Sequence, residues 1–181
     1  VGVFLNDISH SFSSSARFRA GIGLFGLDAT RPEPVVTSLL QSVSMVAGDF
    51  LGSGRHDLVV VNRATHSFNV LTNNGRGGFN NPQSNLTTST SDGFSVNNRP
   101  GAVVAGDFNR DGHLDIAVLM QDSGQVWIFA GHGDGTFRHT FTIAAGDQAT
   151  GLSVVPGSGN GLLDLLVGNG FGDVLYLAGK G

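Results

Sequence analysis

The chain repeats itself, and that repeat limits its fold more than any other feature. Residues 46–79 read VAGDFLGSGRHDLVVVNRATHSFNVLTNNGRGGF and residues 104–137 read VAGDFNRDGHLDIAVLMQDSGQVWIFAGHGDGTF, aligned without a gap at an offset of 58. A third copy, LSVVPGSGNGLLDLLVGNGFGDVLYLAGKG, sets Asp164 against Asp115 at an offset of 49. At the other end Val3–Phe12 matches Val70–Phe79, so the first residues fall midway through a copy. Regular self-similarity of this kind marks units that bury their apolar faces on one another.

Each unit reads as four short strands. In the second copy they are Ala102–Gly106 (A), Ile116–Met120 (B), Gln125–Ala130 (C) and Phe137–Ala144 (D), each closed by turn residues. B and C are continuous apolar runs rather than alternating ones, which is expected where a sheet is covered on both faces. No segment holds a helical period over three turns, and the 28 glycines would be costly inside helices. The expectation is an all-β chain of β-propeller blades, each of four antiparallel strands, about three blade-equivalents and part of a larger propeller. The units divide at 1–42 (end of a preceding blade and a long connection), 43–101, 102–149 and 150–181 (an incomplete blade).

The sharpest chemical motif joins strands A and B: Asp107-Phe108-Asn109-Arg110-Asp111-Gly112-His113-Leu114-Asp115. Side-chain oxygens fall at loop positions 1, 3, 5 and 9, and the His113 carbonyl is available at position 7. A hard cation such as Ca²⁺ needs six to eight oxygens, and odd spacing in a tight loop turns them inward. Three carboxylates crowded together repel one another without a cation. The bland reading is an acidic turn closed by Asx hydrogen bonds. The loop begins like an EF-hand, but Val118 stands at position 12 and no helix flanks it.

The string VVAGDFNRDGHLDIAV, followed by a strand and GHGDGTF, closely resembles the FG-GAP/VCBS repeats of integrin α-like propellers and many secreted proteins. That resemblance covers nearly the whole chain. It implies a calcium-binding module, secreted or at the cell surface, acting as a non-catalytic adhesion scaffold for a glycan or a cell-surface or matrix protein. A closed ring needs at least about four blades, so the chain is expected either to be part of a larger parent or to associate with copies of itself. Similar propellers also accompany some secreted polysaccharide-active enzymes, and open blade edges could self-assemble into a filament. These two alternatives stay open.

The other two A–B loops depart from the motif. The first offers Asp49, Ser53 and Asp57, with Leu51 at position 3 and Arg55 at position 7, so weak metal binding is the most it promises. The third offers Pro156, Ser158, Asn160, Leu162 and Asp164, with one carboxylate. Both keep a glycine at position 6, Gly54 and Gly161.

Several other features carry no function. Gly21-Ile22-Gly23-Leu24-Phe25-Gly26 has dinucleotide spacing, but prolines follow instead of a helix. Asn85-Leu86-Thr87 is a glycosylation sequon only in a secretory setting. The six histidines are dispersed, there is no cysteine and no GxSxG elbow, so nothing supports catalysis. Net charge is −4 and Lys180 is the only lysine, which argues against nucleic acid. No apolar run approaches the roughly 18 residues of a membrane span.

Strand direction puts the A–B loops and C–D turns on one side of the blades, and the B–C and D–A connections on the other. The long D–A segments carry aromatics and polar residues, and Phe94, Asn98 and Arg99 are the candidate ligand contacts there.

Overall fold

The structure is a computed structural model, and it describes residues 2–6, 12–17, 42–63, 66–80, 99–157 and 161–180. Twelve strands follow in order: β1 (Gly2–Asn6), β2 (Phe12–Arg17), β3 (Ser42–Gly48), β4 (Asp57–Asn62), β5 (Ser67–Leu71), β6 (Pro100–Gly106), β7 (Asp115–Met120), β8 (Gln125–Gly131), β9 (Phe137–Ala144), β10 (Ala149–Pro156), β11 (Leu163–Asn169) and β12 (Val174–Leu177). They form four sheets: β1-β2, β3-β4-β5, β6-β7-β8-β9 and β10-β11-β12. Every pairing is antiparallel between sequence neighbours. The last three sheets are the first, second and third blades below.

The second blade matches its expected strands to within two residues at each end. Its neighbours repeat it in detail. Strand A meets strand B with a register shift between Ser42 and Ser44, between Pro100 and Ala102, and between Ala149 and Gly151. These are aligned positions of the three copies. A bulge adds local twist, and its recurrence gives each blade the same bend at the start of its first strand.

The two main cores lie between blades, not within them. All six residues of β7 are buried. Ile116, Val118 and Met120 face Phe50, Val59, Val61, Phe68 and Val70 of the first blade. Ala117 and Leu119, with Val126 and Ile128, face Ala149, Leu165 and Val167 of the third. Each large apolar side chain so buried contributes roughly 1.5–3 kcal/mol, and this two-sided burial is why the strand reads as an unbroken apolar run. Phe68 stacks edge-on against Phe129 and Phe137, at centroid separations of 5.2 and 5.6 Å. Strand β6 lies beside both β3 and β10, so the A strands are neighbours along the array, and the Val103 N–H donates to Ser44 Oγ at 3.2 Å.

A glycine ends strand A where the next blade presses closest. A Cβ on Gly48 would stand 2.6 Å from Leu114 Cδ1 of the second blade. Gly106 meets Leu163 of the third blade in the same way. Leu114 and Leu163 are aligned, each directly before the aspartate at loop position 9. The same joint is therefore used twice.

Candidate metal centre

Loop 107–115 leaves β6 and enters β7. It coils by accepting its own backbone N–H groups. Asp107 Oδ1 accepts from Asp111 N–H at 3.2 Å and Oδ2 from Gly112 N–H at 3.0 Å. Asn109 Oδ1 accepts from Asp111 N–H, and Asp111 Oδ1 from His113 N–H, both at 2.8 Å. The Asn109 amide donates to Asp111 Oδ2 at 2.9 Å. Gly112 has φ 86°, a conformation a Cβ would strain, and Arg110 takes φ 63°. Both His113 N–H and the Asn109 amide stabilise the charged carboxylate, so Asp111 sits below the usual carboxylate range.

Asp115 plays a different part. It is 1% exposed, and its two oxygens accept from Gly131 N–H at 2.9 Å and Phe108 N–H at 2.8 Å. Burial pushes its carboxyl above the ordinary range. The two N–H groups oppose that shift, and the charge on Asp111 adds to it. The corresponding residues do the same work in the other blades. Asp57 Oδ1 accepts from Asn73 N–H at 2.8 Å, and Asp164 Oδ1 from Gly179 N–H at 2.8 Å. The final aspartate of each loop thus fastens strand B to the end of strand C. Sequence reading weighed Asp115 as a metal ligand and Asp57 as a weak one; the near-constant spacing of all three aspartates to Asn73, Gly131 and Gly179 was the signal it missed.

Among the described residues, no three carboxylate or imidazole side chains are already gathered into a metal cluster. The donor set nevertheless suits a hard cation. Asp107, Asn109 and Asp111 present side-chain oxygens to the loop, and an oxygen that accepts one backbone hydrogen bond keeps a further lone pair for a cation. A buried carboxyl whose charge is opposed by burial and by a neighbouring carboxylate is the electrostatic condition that a divalent ion relieves.

The first loop keeps the coil without the ligands. Asp49 accepts from Ser53 N–H at 2.8 Å and Gly54 N–H at 2.7 Å, matching Asp107 position for position. Burial raises the Asp49 carboxyl, but the N–H groups of Gly54, Ser53, Gly52 and Leu51 outweigh it and hold the group low. Asp57 is 1% exposed, and its Oδ2 has no hydrogen-bond partner. At the third loop, residues 158–160, with Ser158 and Asn160, lie outside the described residues. Asp164 there accepts from the Tyr176 hydroxyl as well as from Gly179, and both bonds hold its carboxyl below the ordinary range.

On the opposite side, Arg99 pairs with Asp122 at 3.2 Å, with side chains 53% and 37% exposed. Its carbonyl accepts from Gln121 N–H at 3.0 Å. Phe94 and Asn98 lie outside the described residues.

The family model of the FG-GAP-like repeat matches residues 49–118 and again 107–167. No curated protein matches the chain. Among solved structures, two crystal structures of BBS1N in complex with ARL6DN are similar to it. In the mercury-soaked one the match covers 75% of this chain and 36% of that one, at 14% identity and TM-score 0.47. In the lead-soaked one it covers 78% and 53%, at 12% identity and TM-score 0.37. The chain therefore spans well under two thirds of the structures it resembles. The two matched stretches overlap in loop 107–115 and together take in all three A–B loops; the chain belongs to the FG-GAP-like repeat family.

Proposed function

We propose that this propeller segment is a calcium-binding, non-catalytic scaffold, secreted or at the cell surface, whose loops opposite the cation take a glycan or protein ligand. The observation carrying the calcium reading is the coiled loop 107–115, in which Asp107, Asn109 and Asp111 contribute only oxygen donors beside the buried Asp115. Asp107, Asn109, Asp111, Asp115 and the His113 carbonyl would hold the ion. The bound ion supplies positive charge against which these carboxylates can crowd. Asp107 and Asp111 keep the loop coiled through their backbone bonds, and Asp115 anchors it to β8.

The test is calorimetric titration with calcium together with thermal melts. Asp111→Ala is expected to weaken calcium binding and to lower the melting temperature more with calcium than without it, the calcium-free loss coming from the bonds Asp111 accepts from His113 and Asn109. Equal destabilisation with and without calcium would assign Asp111 to the turn alone. For the ligand side, Phe94→Ala/Arg99→Ala is expected to abolish binding on a glycan array or in pull-downs by the parent protein. Binding that survives it but is lost on changing His132 or Asp134 in the C–D turn would place the ligand on the cation side.

Self-association has one observation in its favour. Among the described residues strand β12 pairs with β11 alone, and Val174, Tyr176 and Phe141 are 65%, 51% and 53% exposed. A cleft of about 540 Å³, lined by Ile128, Phe141, Ile143, Leu165 and Leu177, lies beside that strand. Light scattering decides the point: a concentration-dependent mass supports association through this edge, and a constant monomer mass rules it out.

A further inference from the structure

The C–D turn of the second blade, residues 131–136, touches the cation loop at three consecutive residues. The His113 ring lies directly on Gly133, where a Cβ would overlap the imidazole. The Leu114 carbonyl abuts Gly131 in the same way. Asp115 Oδ1 accepts from the Gly131 N–H at 2.9 Å. These three residues set loop positions 7, 8 and 9. Position 7 matters most, because there the ligand would be a backbone carbonyl, and only the packing of its residue can aim it.

The same turn reaches the neighbouring blade. Gly135 N–H donates to the Phe50 carbonyl at 3.0 Å, and Phe50 directly follows Asp49 at the head of the first loop. Phe137, next after the turn, meets the Phe50 ring edge-on at 5.7 Å. A looser version of the position-7 packing recurs in the first blade, where a Cβ on Gly75, the residue aligned with Gly133, would stand 3.7 Å from the Arg55 side chain.

We infer that turn 131–136 positions the cation loop through the His113 ring and carries its occupancy across to the first blade through Gly135 and Phe50. His113 acts here as a positioning residue: its ring, packed on Gly133, fixes the orientation of its own carbonyl. The inference rests on the calcium reading above. It goes beyond that reading by giving a side chain that makes no metal contact a role in affinity, and by predicting a response in a different blade.

The experiment titrates CaCl₂ into the whole chain and follows backbone hydrogen exchange over residues 49–54. Calcium is expected to slow exchange at the Ser53 and Gly54 N–H groups, which Asp49 holds. His113→Ala keeps the carbonyl but is expected to bind calcium about tenfold more weakly, the scale on which supporting groups act at metal sites, and to lose the slowing at 53 and 54. His113→Phe restores a flat ring over Gly133 and is expected to recover both. Wild-type calcium binding with His113→Ala unchanged, and no exchange response in residues 49–54, overturns the inference while leaving the calcium site standing. No calcium binding by the wild type removes both.

Discussion

Gly131→Ala tests the joint between cation loop and strand C most severely. Gly131 is buried at the end of β8, and its N–H donates to Asp115 Oδ1 at 2.9 Å. An added methyl would overlap the Leu114 carbonyl oxygen, a backbone atom that cannot rotate away. Overpacking of this kind costs about 1–3 kcal/mol. Moving the strand to relieve it stretches a hydrogen bond to a charged group, worth about 1.5–3 kcal/mol. The two together predict a loss of about 2.5–6 kcal/mol. At roughly 2–4 °C per kcal/mol for a chain of this size, the melting temperature falls by on the order of 5–25 °C. The first blade supplies an internal control. Asn73 occupies the aligned position, donates its N–H to Asp57, and turns its amide onto the His56 carbonyl at 3.0 Å. Gly131→Asn should therefore recover part of the loss, by about 1 kcal/mol for one hydrogen bond. Thermal and urea melts by circular dichroism measure both variants. Gly131→Ala within about 0.5 kcal/mol of wild type, the ordinary scatter of a neutral surface change, would refute this account of the joint.

Other expectations follow from the same geometry. Asp49→Ala should destabilise the chain even without calcium, because Asp49 holds the first loop through the Ser53 and Gly54 N–H groups; melts in calcium-free buffer check this, and a wild-type melting temperature would refute it. Asp164 is held below the ordinary carboxylate value of 3.8 by Tyr176 and Gly179. A depressed folded value means stability that is complete above the ordinary value and is lost as pH falls through and below it. Tyr176→Phe should therefore shift the acid-unfolding midpoint upward, and an unchanged midpoint would show that the hydroxyl contributes nothing. Ile116→Ala, at a fully buried site shared by the first two blades, should cost about 2–5 kcal/mol in urea melts.

The strands were legible because the second blade meets a neighbour on each face. Asp57–Asn62 and Asp115–Met120 are apolar after their opening aspartate, and each extends until a turn residue stops it. The loop coil was legible too, since Asp107, Gly112 and their partners in the first copy occupy matching positions and make matching bonds. What the sequence concealed was double use. Asp115 read as the last ligand of its loop, yet its carboxylate, like those of Asp57 and Asp164, ties strand B to strand C, a long-range contact that no local spacing describes. Likewise Gly106 read only as the last residue of strand A, and Gly48 stands at the aligned position. Their reason is the leucine of the following blade, visible only once the blades are stacked. Arg99 read as a free ligand contact, and the structure pairs it with Asp122, a B–C turn residue brought close by the sheet rather than by the chain.

The most direct test of the calcium scaffold is a long-wavelength anomalous difference map from crystals grown with calcium. The account predicts a peak within about 2.6 Å of the Asp107, Asn109 and Asp111 side-chain oxygens and the His113 carbonyl, and no peak of comparable height at residues 49–57. No peak in loop 107–115, or one in loop 49–57 instead, would contradict it.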